Sequence, residues 1–307
     1  MDITRLRTLR ELMVRETMAE VADVLCVTPS AVSQHVSHLE ELTGVQLVER
    51  HGRRIRLTHE GKRLAWYAEQ AIAVLDEAMA EMAELKGDVS GELRVAAFSS
   101  VAAALMPPTI ASLSRQFPRL RVVLEVLESP EAIAALRAWK VDVALIDDLT
   151  CRFKDEEDAN LELKALTQDT LFVVVSREHR LAAQATVTME ELRNELWAID
   201  LASHAYSSVV TQACRDAGFE PIINGHSSNL DVLLALVEGN CSISLLPGLS
   251  LARHRKELHV LRIKPEIRRK ISIASRRTGR RHPAVAALVT ELRAVAAQAH
   301  GRPTIMK

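Results

Sequence analysis

From His59 to Gly87 the chain runs for roughly eight helical turns without a proline, and beyond Gly61 it carries a regular apolar seam. Leu64, Ala68, Ala71, Leu75, Ala78, Met82 and Leu85 are spaced 4, 3, 4, 3, 4, 3, the a/d repeat of a helix that packs along another helix. Ile72 and Met79 broaden the stripe. A helix this long reaches beyond a single compact core, so its stripe needs a cover. Either self-association or packing against its own domain would provide one, and the regular heptad favours self-association. Gly87 is the stop signal and Gly91 a joint. The chain therefore divides into an N-terminal module at 1–58, a linker and dimerisation helix at 59–87, and a large region at 91–307.

The large region alternates apolar runs with helical patterns, which predicts an α/β fold with a largely parallel sheet. GELRVAAF, LRVVLEVL, VDVALID, TLFVVVS, LWAID and SISLLP read as buried strands, and 263–275 as a further one. The stretches 101–116, 130–139, 205–217, 229–238 and 284–299 read as helices.

Charge is unevenly distributed. Lys and Arg total 39 against 40 Asp and Glu, a net charge of -1, so the chain as a whole does not attract a polyanion. Residues 50–63, however, hold Arg50, Arg53, Arg54, Arg56, Lys62 and Arg63 against Glu60 alone. One short basic stretch in a neutral chain predicts that this stretch meets a polyanion. Residues 253–281 are also basic, with twelve Lys or Arg against Glu257 and Glu266. Pairing of some of these with the acidic run Asp155–Asp158 or with a neighbouring subunit's linker is the simplest expectation there, and a second DNA surface the lesser alternative.

The N-terminal module carries the sharper chemistry. A short helix from Met18 to Leu25 is followed by Cys26-Val27-Thr28-Pro29 and a second helix through Leu42. Thr28 is a natural N-cap, and Pro29 at the first helical position gives up no hydrogen bond. The second helix turns Ala31, Val32, Val36 and Leu39 inward. Its other face carries Ser30, Ser33, Gln34, Ser37 and His38, short hydrogen-bonding side chains suited to close approach to base edges. Two short helices about a tight turn fit a helix-turn-helix. A polar helix face alone is usually only a solvated one. Here LVERHGRRIRLT follows, a basic hairpin that would form a wing whose arginines reach phosphate or minor groove.

Taken together, AEVADVLCVTPSAVSQHVSHLEELTGVQLVERHGRRIRLTHEGKRL resembles the winged helix-turn-helix and linker helix of the LysR-type bacterial transcriptional regulators. The resemblance continues through GELRVAAFSS, ALMPPTIASLSRQFPRLRVVLEV, VDVALI and EGNCSISLLP, across essentially the whole chain. Val48 replaces an aromatic residue of the family pattern, and Pro29 sits one place early. The resemblance implies a two-subdomain α/β effector domain like a periplasmic binding protein, with subdomain I at about 91–165 plus 264–300 and subdomain II at about 166–263. It further implies an effector in the cleft, homodimers that pair into tetramers, and a double-stranded DNA site with an interrupted dyad. Carried over by position, Thr28, Ser30, Ser33, Gln34 and His38 would contact DNA from the helix, and Arg50, Arg53 and Arg54 from the wing.

In open α/β sheets ligands sit beyond the carboxyl ends of strands. Those ends are Ser99 and Ser100, Glu128 and Ser129, Asp147 and Asp148, and Ser203. Hydroxyls at a helix start suit a carboxylate, and the acids suit an amine, so a carboxylate or amino acid effector is expected; a solvated loop is the plainer account of the acids. The four serines also fall where the resemblance places ligand contacts.

Other functions find less purchase. GxSxG, P-loop and GxGxxG patterns are absent, and His179, His204, His226, His254 and His259 sit by no evident nucleophile, so no catalytic residue or cofactor is expected. Cys26, Cys151, Cys214 and Cys241 have neither disulfide nor metal-ligand spacing, and no metal is expected. Redox sensing by a thiol is the minor alternative. Aromatics make up 3%, too few for stacking on single strands as the main activity. No apolar run reaches the roughly 20 residues that cross a bilayer, and MDITRLRTLRELMVRE lacks a signal-peptide core. The expectation is a cytoplasmic protein with no membrane partner.

Overall fold

The computed structural model describes the chain apart from residues 1, 16, 26, 52–53, 85–88, 138–139, 152–160, 201–203, 252–257, 278–281 and 301–307, and apart from some side chains inside its helices and strands. It divides into two units, Met1–Asp88 and Val89–Lys307.

The first unit begins with α1 (Ile3–Arg15), α2 (Met18–Leu25) and α3 (Pro29–Thr43). Thr28 caps α3 as its sequence demands: its hydroxyl accepts from Ala31 N at 3.2 Å, with Pro29 in the first turn. Gly44 ends the helix at φ 69°, a left-handed conformation that suits glycine. An antiparallel hairpin follows, β1 (Val48–His51) and β2 (Arg54–Leu57), in the register Val48 to Leu57 and His51 to Arg54. The last element is the long α4 (His59–Glu84). Leu9, Leu12, Val21, Val32, Val36, Leu39, Leu47, Ile55, Ala65, Ala68 and Ile72 form one core. Each large side chain buried there stabilises the unit by roughly 1.5–3 kcal/mol.

That core also divides the heptad seam. Ala68 is buried and Leu64 half-buried within this unit, because α1 lies along the first turns of α4. Ala71, Leu75, Ala78 and Met82 are exposed, and Leu85 lies outside the described residues. Trp66, Tyr67 and Val74 add to the exposed apolar surface of the helix.

The second unit opens with parallel strands β3 (Gly91–Ala97), β4 (Leu120–Val126) and β5 (Val143–Asp147). Alternate residues serve the two faces. Leu93, Val95, Ala97, Val143 and Leu145 pack with α5 (Ser99–Ala104), α6 (Met106–Gln116) and α11 (Pro283–His300). Ala96, Ala144 and Ile146 pack with α7 (Ser129–Arg137). The chain then enters β6 (Leu161–Ser176), which passes through both halves of the unit. Its first ten residues pair with β12 (Arg268–Arg276), and its last six with β10 (Ser244–Pro247) and β11 (Leu258–Lys264). The second half is completed by β7 (Thr186–Thr188), β8 (Leu196–Asp200), α8 (His204–Asp216), β9 (Ile222–Ser227), α9 (Leu230–Glu238) and the short α10 (Gly248–Leu251). Leu171, Val173 and Val175 of β6 face a core holding Trp197, Tyr206, Cys214 and Phe219, while Phe172 and Val174 face Leu234 and Leu246.

The strand order is β4-β3-β5-β12-β6-β11-β7, with β10 also on β6 and β8-β9 forming a separate pair. The sheet is therefore mixed, not largely parallel. β12 is antiparallel to both β5 and β6, because the chain crosses between the halves on β6 and returns on β12. The expected helix 101–116 is two helices meeting at Leu105, since Pro107 and Pro108 lack the N–H groups that would continue α5. The expected strand 263–275 is the end of β11 and most of β12, separated around Pro265.

Candidate nucleic-acid interface and effector cleft

On α3 the inward residues are Val32, Val36 and Leu39, all buried. This orientation leaves Ser30, Gln34 and Ser37 exposed, with Ser33 and His38 half-exposed on the same side. Thr28 and Ser30 bond to each other through their hydroxyls at 2.9 Å, so both rim the start of the face. His38 Nδ1 lies 3.8 Å from Glu41 Oε2. His35, one residue off that face, is tied inward: its Nδ1 is 2.8 Å from Thr8 Oγ1, whose own proton goes to Thr4 O. The contact between the ring and the hydroxyl pins α1 to α3. Arg50 and Arg54 stand on the two strands of the hairpin and Arg56 is exposed. The side chains of Arg50 and Arg54, and Arg53 altogether, lie outside the described residues.

Sequence reasoning passed over Glu40. Its Oε1 accepts from Leu47 N at 2.8 Å and from Val48 N at 3.3 Å, so a side chain of α3 holds the first residues of the wing. The signal was faint: an acid seven residues ahead of its partners reads as a solvated charge.

In the second unit the end of β3, the start of β12 and the middle of β6 meet at a buried polar group. Arg269 and Asp169 have side chains only 3% and 6% exposed and face each other in the β12–β6 register. The guanidinium donates to Asp169 Oδ2 from Nη2 at 2.7 Å and from Nε at 3.2 Å, and to Ser100 Oγ at 2.6 Å. It lies 4.8 Å from the Phe98 ring centroid. Asp169 Oδ1 accepts from Leu249 N at 3.2 Å. Tyr206, buried nearby, donates to Leu245 O at 3.1 Å, and burial raises its pKa.

Four of the seven predicted cleft residues are engaged internally. Ser100 accepts from Arg269. Ser129 donates to Asp147 Oδ2 at 2.9 Å. Asp147 also receives Thr150 Oγ1, Thr150 N and Leu149 N, so both its oxygens close the turn after β5 and are not directed at an amine. Asp148 likewise accepts from Lys270 N at 2.7 Å. Ser99 is exposed at the first residue of α5, and Ser203 lies outside the described residues. Glu128, half-buried at the end of β4, has its pKa raised by burial and then by the charges of Asp200, Asp147 and Glu131, against the opposing pull of Arg269. Three of the C-terminal arginines pair within the unit: Arg269 with Asp169, Arg276 with Asp142 and two carbonyls, Arg268 with Glu266. The acidic run 155–158 lies outside the described residues.

Among the described residues no group of three or more His, Cys, Asp or Glu is placed to hold a metal ion, and no helix is long and apolar enough to cross a membrane. Burial raises the pKa of Cys151, and pushes that of Cys214 up to about 12.

Residues 3–62 match the family described as "Bacterial regulatory helix-turn-helix protein, lysR family", and residues 86–297 match "LysR substrate binding domain". A curated relative is the transcriptional dual regulator GltC of Bacillus subtilis, 28% identical over 80% of this chain and 81% of that protein. Another is the DNA-binding transcriptional dual regulator OxyR of Escherichia coli, 27% identical over 90% of each. Among solved structures, a full-length OxyR variant from Pseudomonas aeruginosa superposes with a TM-score of 0.75 at 23% identity, covering 95% of this chain and 98% of that one. Full-length CbnR complexed with its target DNA gives 0.61 at 23% identity, covering 96% and 100%.

Proposed function

Because the chain belongs to the LysR family of DNA-binding transcriptional regulators, with an effector-binding domain behind its helix-turn-helix, we propose a specific division of labour among its residues. Thr28, Ser30, Ser33, Gln34 and His38 read base edges in the major groove, while Arg50, Arg53 and Arg54 bind phosphate or minor groove and supply affinity. The observation that carries this reading is the exposed polar face of α3 beside a hairpin of dense positive charge. The exposed stripe Ala71, Leu75, Ala78 and Met82 supports pairing with a second copy. A twofold dimer would read an interrupted dyad, and dimers would pair further into tetramers. The regulator works in the cytoplasm, where its DNA is.

The effector binds between the two halves of the α/β unit and favours one relative arrangement of them, changing the spacing of the DNA-reading heads within the oligomer. The size of that shift is bounded by the ligand's difference in affinity for the two arrangements. Glu128 is half-buried at the cleft beside further acids, and the buried arginine there is already matched by Asp169. An effector carrying an amine, such as an amino acid, suits this balance better than a simple carboxylate. The relatives named as hydrogen peroxide-inducible activators raise thiol sensing as a second reading. A thiol with a pKa near 12, like that of Cys214, holds almost no reactive thiolate at neutral pH.

Fluorescence anisotropy on the DNA upstream of the protein's own gene tests the first part. Gln34→Ala should weaken specific binding by about 1–3 kcal/mol with little effect on scrambled duplex; equal losses on both would refute the base-reading role. Leu75→Glu should shift the sedimenting species toward monomer. In thermal-shift screens, stabilisation by carboxylates alone would overturn the amine assignment.

A further inference from the structure

We propose that Glu40 sets the offset between the reading helix and the wing, acting as a positioning residue for DNA binding through backbone amides and not by touching the duplex. This rests on the reading above that the wing arginines contact DNA. Leu47 and Val48 enter β1 with two N–H groups aimed at α3, and Glu40 Oε1 accepts both. A single oxygen bonded to two consecutive amides fixes both the position and the direction of the segment that carries them. The rest of the junction is closed around the same point. Gly44 N returns to Glu40 O at 2.8 Å, fixing the end of α3. Thr58 N donates to Leu47 O at 3.0 Å, and Thr58 Oγ1 donates to Gln46 O at 2.8 Å. Thr58 Oγ1 also caps α4, accepting from Gly61 N at 2.9 Å. A side chain on Gly61 would run into the carbonyl of Leu47.

The hairpin is two four-residue strands, and a ribbon of that size is not stable alone. Its direction must come from its base. Leu47 is buried in the core, which holds the base in place, but a buried leucine can pivot; the two amide bonds to Glu40 remove that freedom. At about 3.3 Å per residue, Arg50 and its cross-strand neighbours lie two or more residues out along the lever. A small rotation at Val48 therefore moves the arginines off the backbone track that α3 defines.

The test uses the full chain and anisotropy on the upstream fragment across a salt series, each variant measured below its melting transition. Arg54→Ala should reduce the slope of log affinity against log salt by about 0.9 for a lost phosphate contact. Glu40→Ala should flatten the slope by a similar or larger amount, while the preference for cognate bases at the α3 contacts persists. The two losses should not add in the double variant, because arginines on a misaligned wing have no contact left to lose. Glu40→Gln keeps the accepting oxygen and should restore most of the slope. Glu40→Asp, shorter by a methylene, should not, and these two variants carry the test if Glu40→Ala fails to fold. A full slope for both Glu40→Ala and Glu40→Asp, with a flattened one for Arg54→Ala, overturns the positioning role alone, as do strictly additive losses. An unchanged slope for Arg54→Ala overturns the wing reading and the proposal with it.

Discussion

Replacing Arg269 by methionine should destabilise the α/β unit more than almost any other single change away from its apolar cores. The substitution removes both guanidinium bonds to Asp169, at 2.7 and 3.2 Å, and the 2.6 Å bond to Ser100. It leaves a carboxylate that is 6% exposed with, among the described residues, only the Leu249 amide still donating to it. Breaking a buried pair by removing one partner costs about 3–5 kcal/mol. For a unit of this size each kcal/mol is worth about 2–4 °C in Tm, so the calorimetric transition should fall by roughly 6–20 °C. The double variant Asp169→Leu with Arg269→Met removes the orphaned charge, leaving mainly the Leu249 amide without its acceptor, a cost of about 1–3 kcal/mol. It should therefore melt well above the single variant. A single variant melting within about 4 °C of the wild type, or a double variant melting below it, would refute the claim that uncompensated charge dominates at this site.

Three further outcomes are expected. Gly61→Ala forces a Cβ against the Leu47 carbonyl and should cost the N-terminal unit about 1–3 kcal/mol, read by urea unfolding of that unit; a neutral effect would mean the α3–β1–α4 junction yields readily. Cys241, exposed, should react rapidly with a thiol reagent in native protein, and Cys214 should react only on unfolding, because it is fully buried with a pKa near 12; equal labelling rates would contradict the described core. Glu128 has its pKa raised from an ordinary 4.5 by burial first and then by Asp200 and Asp147, so the folded chain binds that proton more tightly than the unfolded one and loses stability as pH rises through the interval above 4.5. Glu128→Gln should therefore raise Tm at neutral pH and give no gain below about pH 4; a gain independent of pH would dismiss ionisation as the cause.

What the sequence disclosed was mostly local. Thr28 capping α3, the inward Val32, Val36 and Leu39, and the LVER–IRLT hairpin are short-range patterns, and the structure has them where the spacing put them. The buried β5, second half of β6 and β10 were legible because nearly every residue in them is apolar, whereas LRVVLEVL, expected as a buried strand, is β4 at the sheet edge with only Leu120 buried. The first half of β6, LELKALTQDT, was not legible, since its residues alternate and several are polar; it is held by β12, about a hundred positions away. The same distance hid the Arg269–Asp169 pair and made the basic C-terminal stretch look like a partner-seeking surface. In the seam, Leu64 and Ala68 fit the heptad but are covered by α1, which a periodicity cannot reveal. At the cleft, Asp147 and Ser129 sit where a ligand group was expected, yet the turn after β5 consumes their hydrogen bonds, an arrangement decided by backbone amides that leave no trace in residue type.

The placement of β12 between β5 and β6 has a consequence for how the protein is made. When a ribosome has delivered everything up to Pro265, the sheet that begins at Gly91 still lacks the strand that lies between β5 and β6, and the first half of β6 has no partner strand. The helix-turn-helix unit, whose core is built from residues between Ile3 and Ile72, has that core complete long before then. Synthesis thus delivers the helix-turn-helix unit while the effector-binding half still waits for β12 and α11, so a message truncated before them would yield a head without a sensor to govern it.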